Sequence, residues 1–165
     1  MKKARSGDGA RAPKAPDAIT LLKEDHKTVS GLFARFDKLV GTSAHAKKLK
    51  LARKICLELK VHTQIEEEIF YPAVIAVLPK EQDLLDEAEV EHDGAKNLIR
   101  QLDAMEPGED RFDAKVTVLA EYIEHHVKEE HEEMFPKVRK TSLDLRELGM
   151  RLAFRKNELA KQLKA

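Results

Sequence analysis

The chain has 165 residues, 30 Lys+Arg against 30 Asp+Glu, one Cys and no Trp. That length suits a single domain with a real core. The charge balance offers no broad basic face for nucleic acid, and a lone Cys56 excludes a disulfide framework or a cysteine-rich zinc module. No apolar run approaches the roughly 20 residues of a membrane span, and the basic start Met1-Lys2-Lys3 has no apolar segment behind it. The expectation is a cytoplasmic protein that meets neither membrane nor specific nucleic acid.

Residues 1–16 are charged and rich in Gly and Pro with no large apolar side chain, so they read as a disordered basic tail. From Asp17 the apolar residues recur at intervals of three and four, the helical period. The first helix uses Ile19, Leu22, Val29, Phe33, Phe36 and Val40, with Asp17 as its cap and Gly41 as its stop. A second runs from about Ala44 to Val77 through Ala52, Ile55, Leu59, Ile69, Ala73 and Ala76, with Pro72 expected to kink it or split off a final turn. The third, about Lys80 to Met105, uses Leu85, Ala88, Ala95, Ile99 and Leu102. The fourth, about Asp110 to Lys140, uses Phe112, Val116, Leu119, Ile123 and Met134 and meets Pro136 near its end. The fold class this predicts is all-α: an antiparallel up-down four-helix bundle over 17–140. A fifth amphipathic helix in 141–165 carries Leu145, Leu148, Leu152, Leu159 and Leu163. It packs by default on its own bundle; a weak homodimer or a protein partner on its leucine stripe are the alternatives.

The two halves repeat one another. HTQIEEEIFYP places His62 and Glu66 ahead of Pro72, and HVKEEHEEMFP places His126 and Glu130 ahead of Pro136 at the same spacing. Upstream of each pair lies a single His, His26 and His92. The apolar stripes, continued through their gaps, run through His26, through His62 and Glu66, through His92, and through His126 and Glu130. Residues at i and i+4 share a helix face, so four imidazoles and two carboxylates converge on one seam. An unpaired buried carboxylate costs several kcal/mol or is neutralised by protonation. A hydrogen-bonded polar core would explain the charges but not the duplicated spacing, whereas a bound metal explains both. Imidazole and carboxylate without thiolate suit iron, manganese or zinc. Six such ligands fit a dinuclear centre with positions left open for a small molecule.

The order His26, His62-x-x-x-Glu66, His92, His126-x-x-x-Glu130 resembles the hemerythrin-like, or HHE cation-binding, domain over about residues 17–140. The resemblance implies two non-haem irons, with zinc or manganese as alternatives. It implies Glu66 and Glu130 as bridges, beside an oxo or hydroxo bridge, and His26, His62, His92 and His126 as terminal ligands. One departure stands out: oxygen-carrying members have a second His four residues along the third helix, where this chain has Lys96. The pattern is that of His-poorer members, for which the resemblance implies O2, peroxide or nitric oxide as the small molecule. The roles implied are sensing, catalase-like peroxide disproportionation, nitric-oxide repair or iron handling, rather than reversible O2 carriage.

Tyr122 and Glu58 lie one turn before His126 and His62, as extra ligands or hydrogen-bond partners of a metal-bound group. Asp25 and Glu91 precede His26 and His92 and face about 100° away from them, so they read as solvated acids. Gly94 offers space near His92. His125 and His131 fall off the chosen stripe and His45 is expected at the surface. Cys56 is expected to be packed, and the runs Glu66-Glu67-Glu68 and Glu129 to Glu133 to be mostly solvated.

Overall fold

The computed structural model describes residues 16–163. The expected tail therefore lies, apart from Pro16, outside the described residues. Helix α1 (Ala18–Asp37) opens where the Asp17 carboxylate accepts from the Thr20 backbone N–H at 3.0 Å, satisfying a donor that the first turn leaves free. It ends at Asp37, short of Val40, which sits 42% exposed in the turn that Gly41 completes at φ 74° rather than on the buried stripe.

The second segment is three pieces: α2 (His45–Ile65), a π-helical turn (Glu66–Phe70) and α3 (Tyr71–Val77). The physical reason is Pro72. In an α-helix its ring would clash with the carbonyl four residues back, and its nitrogen has no proton to donate. The wider turn relieves this, with the Tyr71 N–H donating to the Glu66 carbonyl five residues back. The extra residue rotates the downstream stripe. Ile69, Ala73 and Ala76, expected inside, give way to Phe70, Tyr71 and Val74. The second half repeats the device. Helix α5 (Phe112–Glu129) passes into a π turn (Glu130–Met134) and then α6 (Phe135–Val138), with Pro136 placed as Pro72 is.

Helix α4 (Gln82–Asp103) completes the bundle, in which α1 lies between α2 and α5, and α4 lies between them opposite α1. Helix α7 (Leu145–Gln162) packs across α1 and α2 by burying Leu148, Leu152 and Leu159. Met150 and Phe154 face outward, and Leu163 is 45% exposed. The apolar core is divided in two. One cluster holds Leu22, Ile65, Phe70, Leu85, Phe135 and Leu152; the other holds Val29, Phe36, Ile55, Leu59, Ile99 and Leu119. Between them, across the middle of the bundle, lies a buried polar layer. Cys56 belongs to the second cluster, and burial pushes its thiol up to about 11. No helix among the described residues is long and apolar enough to cross a membrane.

Candidate metal centre

The polar layer contains the six residues that the stripes predict. His26, His62, Glu66, His92, His126 and Glu130 are all buried, Glu66 completely. They form two groups, His26, His62, Glu66 and Glu130 in one and Glu66, His92 and His126 in the other, with the donor atoms of each within 4.8 Å of one another. Glu66 belongs to both. Its Oε1 faces His62 Nε2 at 3.2 Å and its Oε2 faces His92 Nε2 at 3.3 Å. Glu130 presents Oε2 to His26 Nε2 at 3.2 Å and to His126 Nε2 at 3.7 Å. The imidazoles meet nitrogen to nitrogen, His26 with His62 at 2.9 Å and His92 with His126 at 3.1 Å.

The other ring nitrogens explain this orientation. His92 Nδ1 lies 2.8 Å from Glu67 Oε1, and His126 Nδ1 lies 2.8 Å from Glu91 Oε2. His62 Nδ1 lies 3.5 Å from Asp25 Oδ2. An ionised carboxylate only accepts, so these Nδ1 atoms carry the protons and the neutral rings turn Nε2 lone pairs inward. Lone pairs facing lone pairs and carboxylates need positive charge between them. Three buried oxygens, both of Glu66 and Oε2 of Glu130, have no hydrogen-bond partner. Such orphaned acceptors and opposed lone pairs fit a bound cation. Without one, protons must serve. Burial opposes the charge on His62, but Glu66 and Asp25 outweigh it and raise its pKa to about 10. Burial likewise opposes charge on His92, and Glu66, Glu67 and Glu130 raise it to about 9.

The outer partners correct the expectation that Asp25 and Glu91 are solvated acids. Each does face away from the His that follows it, but that direction is toward the neighbouring helix. Asp25 on α1 serves His62 on α2, and Glu91 on α4 serves His126 on α5. Asp25 is buried and is also paired with Lys156 of α7. Glu67 leaves the solvated run as well: Lys96 donates to both its oxygens, at 2.6 and 2.7 Å. Lys96, standing where an additional imidazole was the alternative, thus supports His92 through Glu67.

His131, set aside as off the stripe, lies with Nε2 2.9 Å from His26 Nδ1. It occupies the second position of the π turn, whose altered register the apolar spacing does not reveal. Tyr71 is the other residue the spacing missed. Its hydroxyl donates to Glu130 Oε1 at 3.1 Å and lies 3.4 Å from His92 Nε2. Burial, together with Glu130 and Glu66, pushes its pKa well upward, so the phenol keeps its proton. A tyrosine just before a motif proline was the available signal. Tyr122, considered for that role, is 49% exposed with its ring against Gly94, 3.4 Å from where a Cβ would stand. Glu58 is half-buried and, among the described residues, belongs to neither His/Glu group. His45 is exposed as expected.

A family model decides what this arrangement belongs to: the hemerythrin HHE cation binding domain matches residues 17–138. The chain belongs to the hemerythrin HHE family. An HHE cation-binding-domain protein from Mycobacterium kansasii has the same fold, with a TM-score of 0.74, 25% identity and coverage of 89% of both chains. A curated relative from Nostoc sp., named a DNA nickase, is 28% identical over 121 residues, which are 72% of this chain. This chain spans only 32% of that relative's length. As an HHE domain, the chain has two His/Glu groups placed to bind metal.

Aligned on their prolines, the two HHE halves differ in informative places. Tyr71 stacks on His92 with ring centroids 5.6 Å apart, and its counterpart Phe135 stacks on His26 at 6.0 Å. Glu67 holds His92 where His131 meets His26. Lys96 follows His92 by four residues, and Ser30 follows His26 by four. Among the described residues, no pair like Lys96–Glu67 stands beside Ser30 on the His26 side. There, a cleft of about 390 Å³ between α1 and α5 is lined by His26, Ser30, Phe33, Ala120, Ile123 and Val127.

Proposed function

We propose that this chain is a non-haem di-iron protein that reacts with O2 or peroxide. The observation that supports this reading best is Glu66, whose two unpartnered oxygens face different histidine groups, as a carboxylate shared by two ions would. His26, His62 and Glu130 would complete one ion's ligands, and His92 and His126 the other's. Bound iron would supply redox chemistry and Lewis acidity toward a small oxidant.

The chain's own residues do the rest. Asp25, Glu67 and Glu91 fix the tautomers of three imidazoles and strengthen them as donors. With three residues against four, the group around His92 would leave an ion held there more room for a small molecule. Tyr71 keeps a proton at its hydroxyl oxygen between that group and Glu130, within reach of a molecule bound there. The cleft between α1 and α5 offers a small neutral molecule a route to His26.

Metal analysis of protein expressed in iron-supplemented medium, with absorption spectra before and after air and peroxide, tests the reading. The expected result is two irons per chain, matching the two ligand groups, with a charge-transfer band that peroxide changes. One zinc per chain with a featureless spectrum, or peroxide decomposition no faster than with free iron, would overturn it.

A second reading is supported by a separate link. Asp25 joins His62 to Lys156 on α7, so metal occupancy has a direct connection to the outermost helix. In a sensing protein, loading and unloading would change protease cleavage within α7; equal cleavage in both forms would remove this reading.

A further inference from the structure

Outside the buried layer a second His-x-x-x-Glu pair runs along α5, one residue out of phase with the first. His125 and Glu129 share a helix face, and Glu91 reaches them from α4. His125 Nε2 stands 3.2 Å from Glu129 Oε1 and 3.3 Å from Glu91 Oε1. One donor atom from each of the three lies within 4.8 Å of the others. The group is open to solvent, the His125 side chain being 65% exposed.

Charge at this place is out of balance. Glu87 and Glu133 add like charge around Glu129. Among the described residues no Lys or Arg pairs with Glu91 or Glu129, and His125 alone faces both. Glu91 is also divided between two tasks. Its Oε2 accepts from His126 Nδ1 of the buried layer, which leaves Oε1 turned outward.

We propose that Glu91, His125 and Glu129 form an outer site for a divalent transition metal of the zinc or ferrous type. One imidazole with two carboxylates and no thiolate is a donor set for such ions. Three protein ligands at the surface leave the remaining positions to water, so this ion exchanges readily. Glu91 touches both sites, and occupancy of either changes affinity at the other by the same factor. The proposal does not depend on which metal the buried layer holds or on what that layer catalyses.

The test is a calorimetric titration with Zn2+ of the full chain carrying its resident metal, after excess metal has been removed by gel filtration. One further equivalent is expected in the wild type. In His125→Ala and in Glu129→Gln that equivalent is lost or weakened at least about tenfold, while buried metal content and melting temperature hold. Two variants are used so that a folding defect in either does not decide the matter. No further equivalent, or the same titration in all three proteins, would show His125 to be an imidazolium in an ordinary surface ion pair and overturn the proposal.

Discussion

At the scale of single residues, the buried polar layer is oriented by side chains outside it. Glu67 illustrates this: one oxygen is shared between His92 Nδ1 and the Lys96 ammonium, so the imidazole is held in one tautomer and one rotamer. Replacing it by Gln keeps the size but removes the negative charge. The expected outcome for Glu67→Gln is a metal affinity reduced by about 10–100-fold, measured by competition with a chromophoric chelator, with an unchanged helical circular dichroism spectrum. Equal affinity would mean that the ring is oriented by packing against Tyr71 alone. The six inward-facing residues were legible in the sequence because burial follows the helical period and their polarity violates it. The outer partners were not. Position i−1 tells which way a side chain leaves its own helix, but Asp25 and Glu91 matter for the helix they arrive at, which periodicity does not specify.

At the scale of elements, Pro72 was read as kinking its helix or splitting off a final turn, and the split is what forms: a widened turn beginning at Glu66 sets α3 apart from α2, and the same turn recurs at Glu130. Pattern matching therefore works up to Glu66 in the first half and Glu130 in the second and slips by one beyond each, which is why Tyr71 and His131 went unseen. Helix α7 was legible as an amphipathic segment, and its docking depends on a close backbone approach. A Cβ on Gly149 would collide with the Pro16 carbonyl oxygen and lie 2.8 Å from the Ala18 nitrogen, contacts that backbone cannot yield without moving. Gly149→Ala is expected to shift α7 off the start of α1 and to destabilise the fold by about 1–3 kcal/mol in urea denaturation. A change within about 0.5 kcal/mol would show that the junction is pliant.

At the scale of the whole molecule, folding concentrates negative charge at the centre and must find positive charge to match it. In metal-free protein that charge is expected as protons on His62 and His92, whose neighbouring carboxylates raise their pKa to about 10 and about 9, above the ordinary 6.5 of a free imidazole. A folded pKa above the unfolded one gives stability that is complete below the unfolded value and is lost as pH rises through the folded value. Metal-free protein is thus expected to lose melting temperature steadily between pH 7 and pH 10. The loaded protein, whose imidazoles are already deprotonated by coordination, is expected to melt higher and to lack that decline. Parallel pH profiles for the two forms would show that metal and protons do not share this site.

The outer contacts also tie the repeats together in a particular way. Asp25 and Glu91 each steady an imidazole within their own half, but Glu67 of the first half holds His92 of the second, and His131 of the second half meets His26 of the first. A lone helical hairpin of this sequence would carry half of its clasps with nothing to fasten. It could close them only against a copy of itself, so the domain has the logic of a symmetric dimer drawn into one polypeptide. Once joined, its two faces were free to diverge, and Tyr71 against Phe135 and Glu67 against His131 are where they have done so.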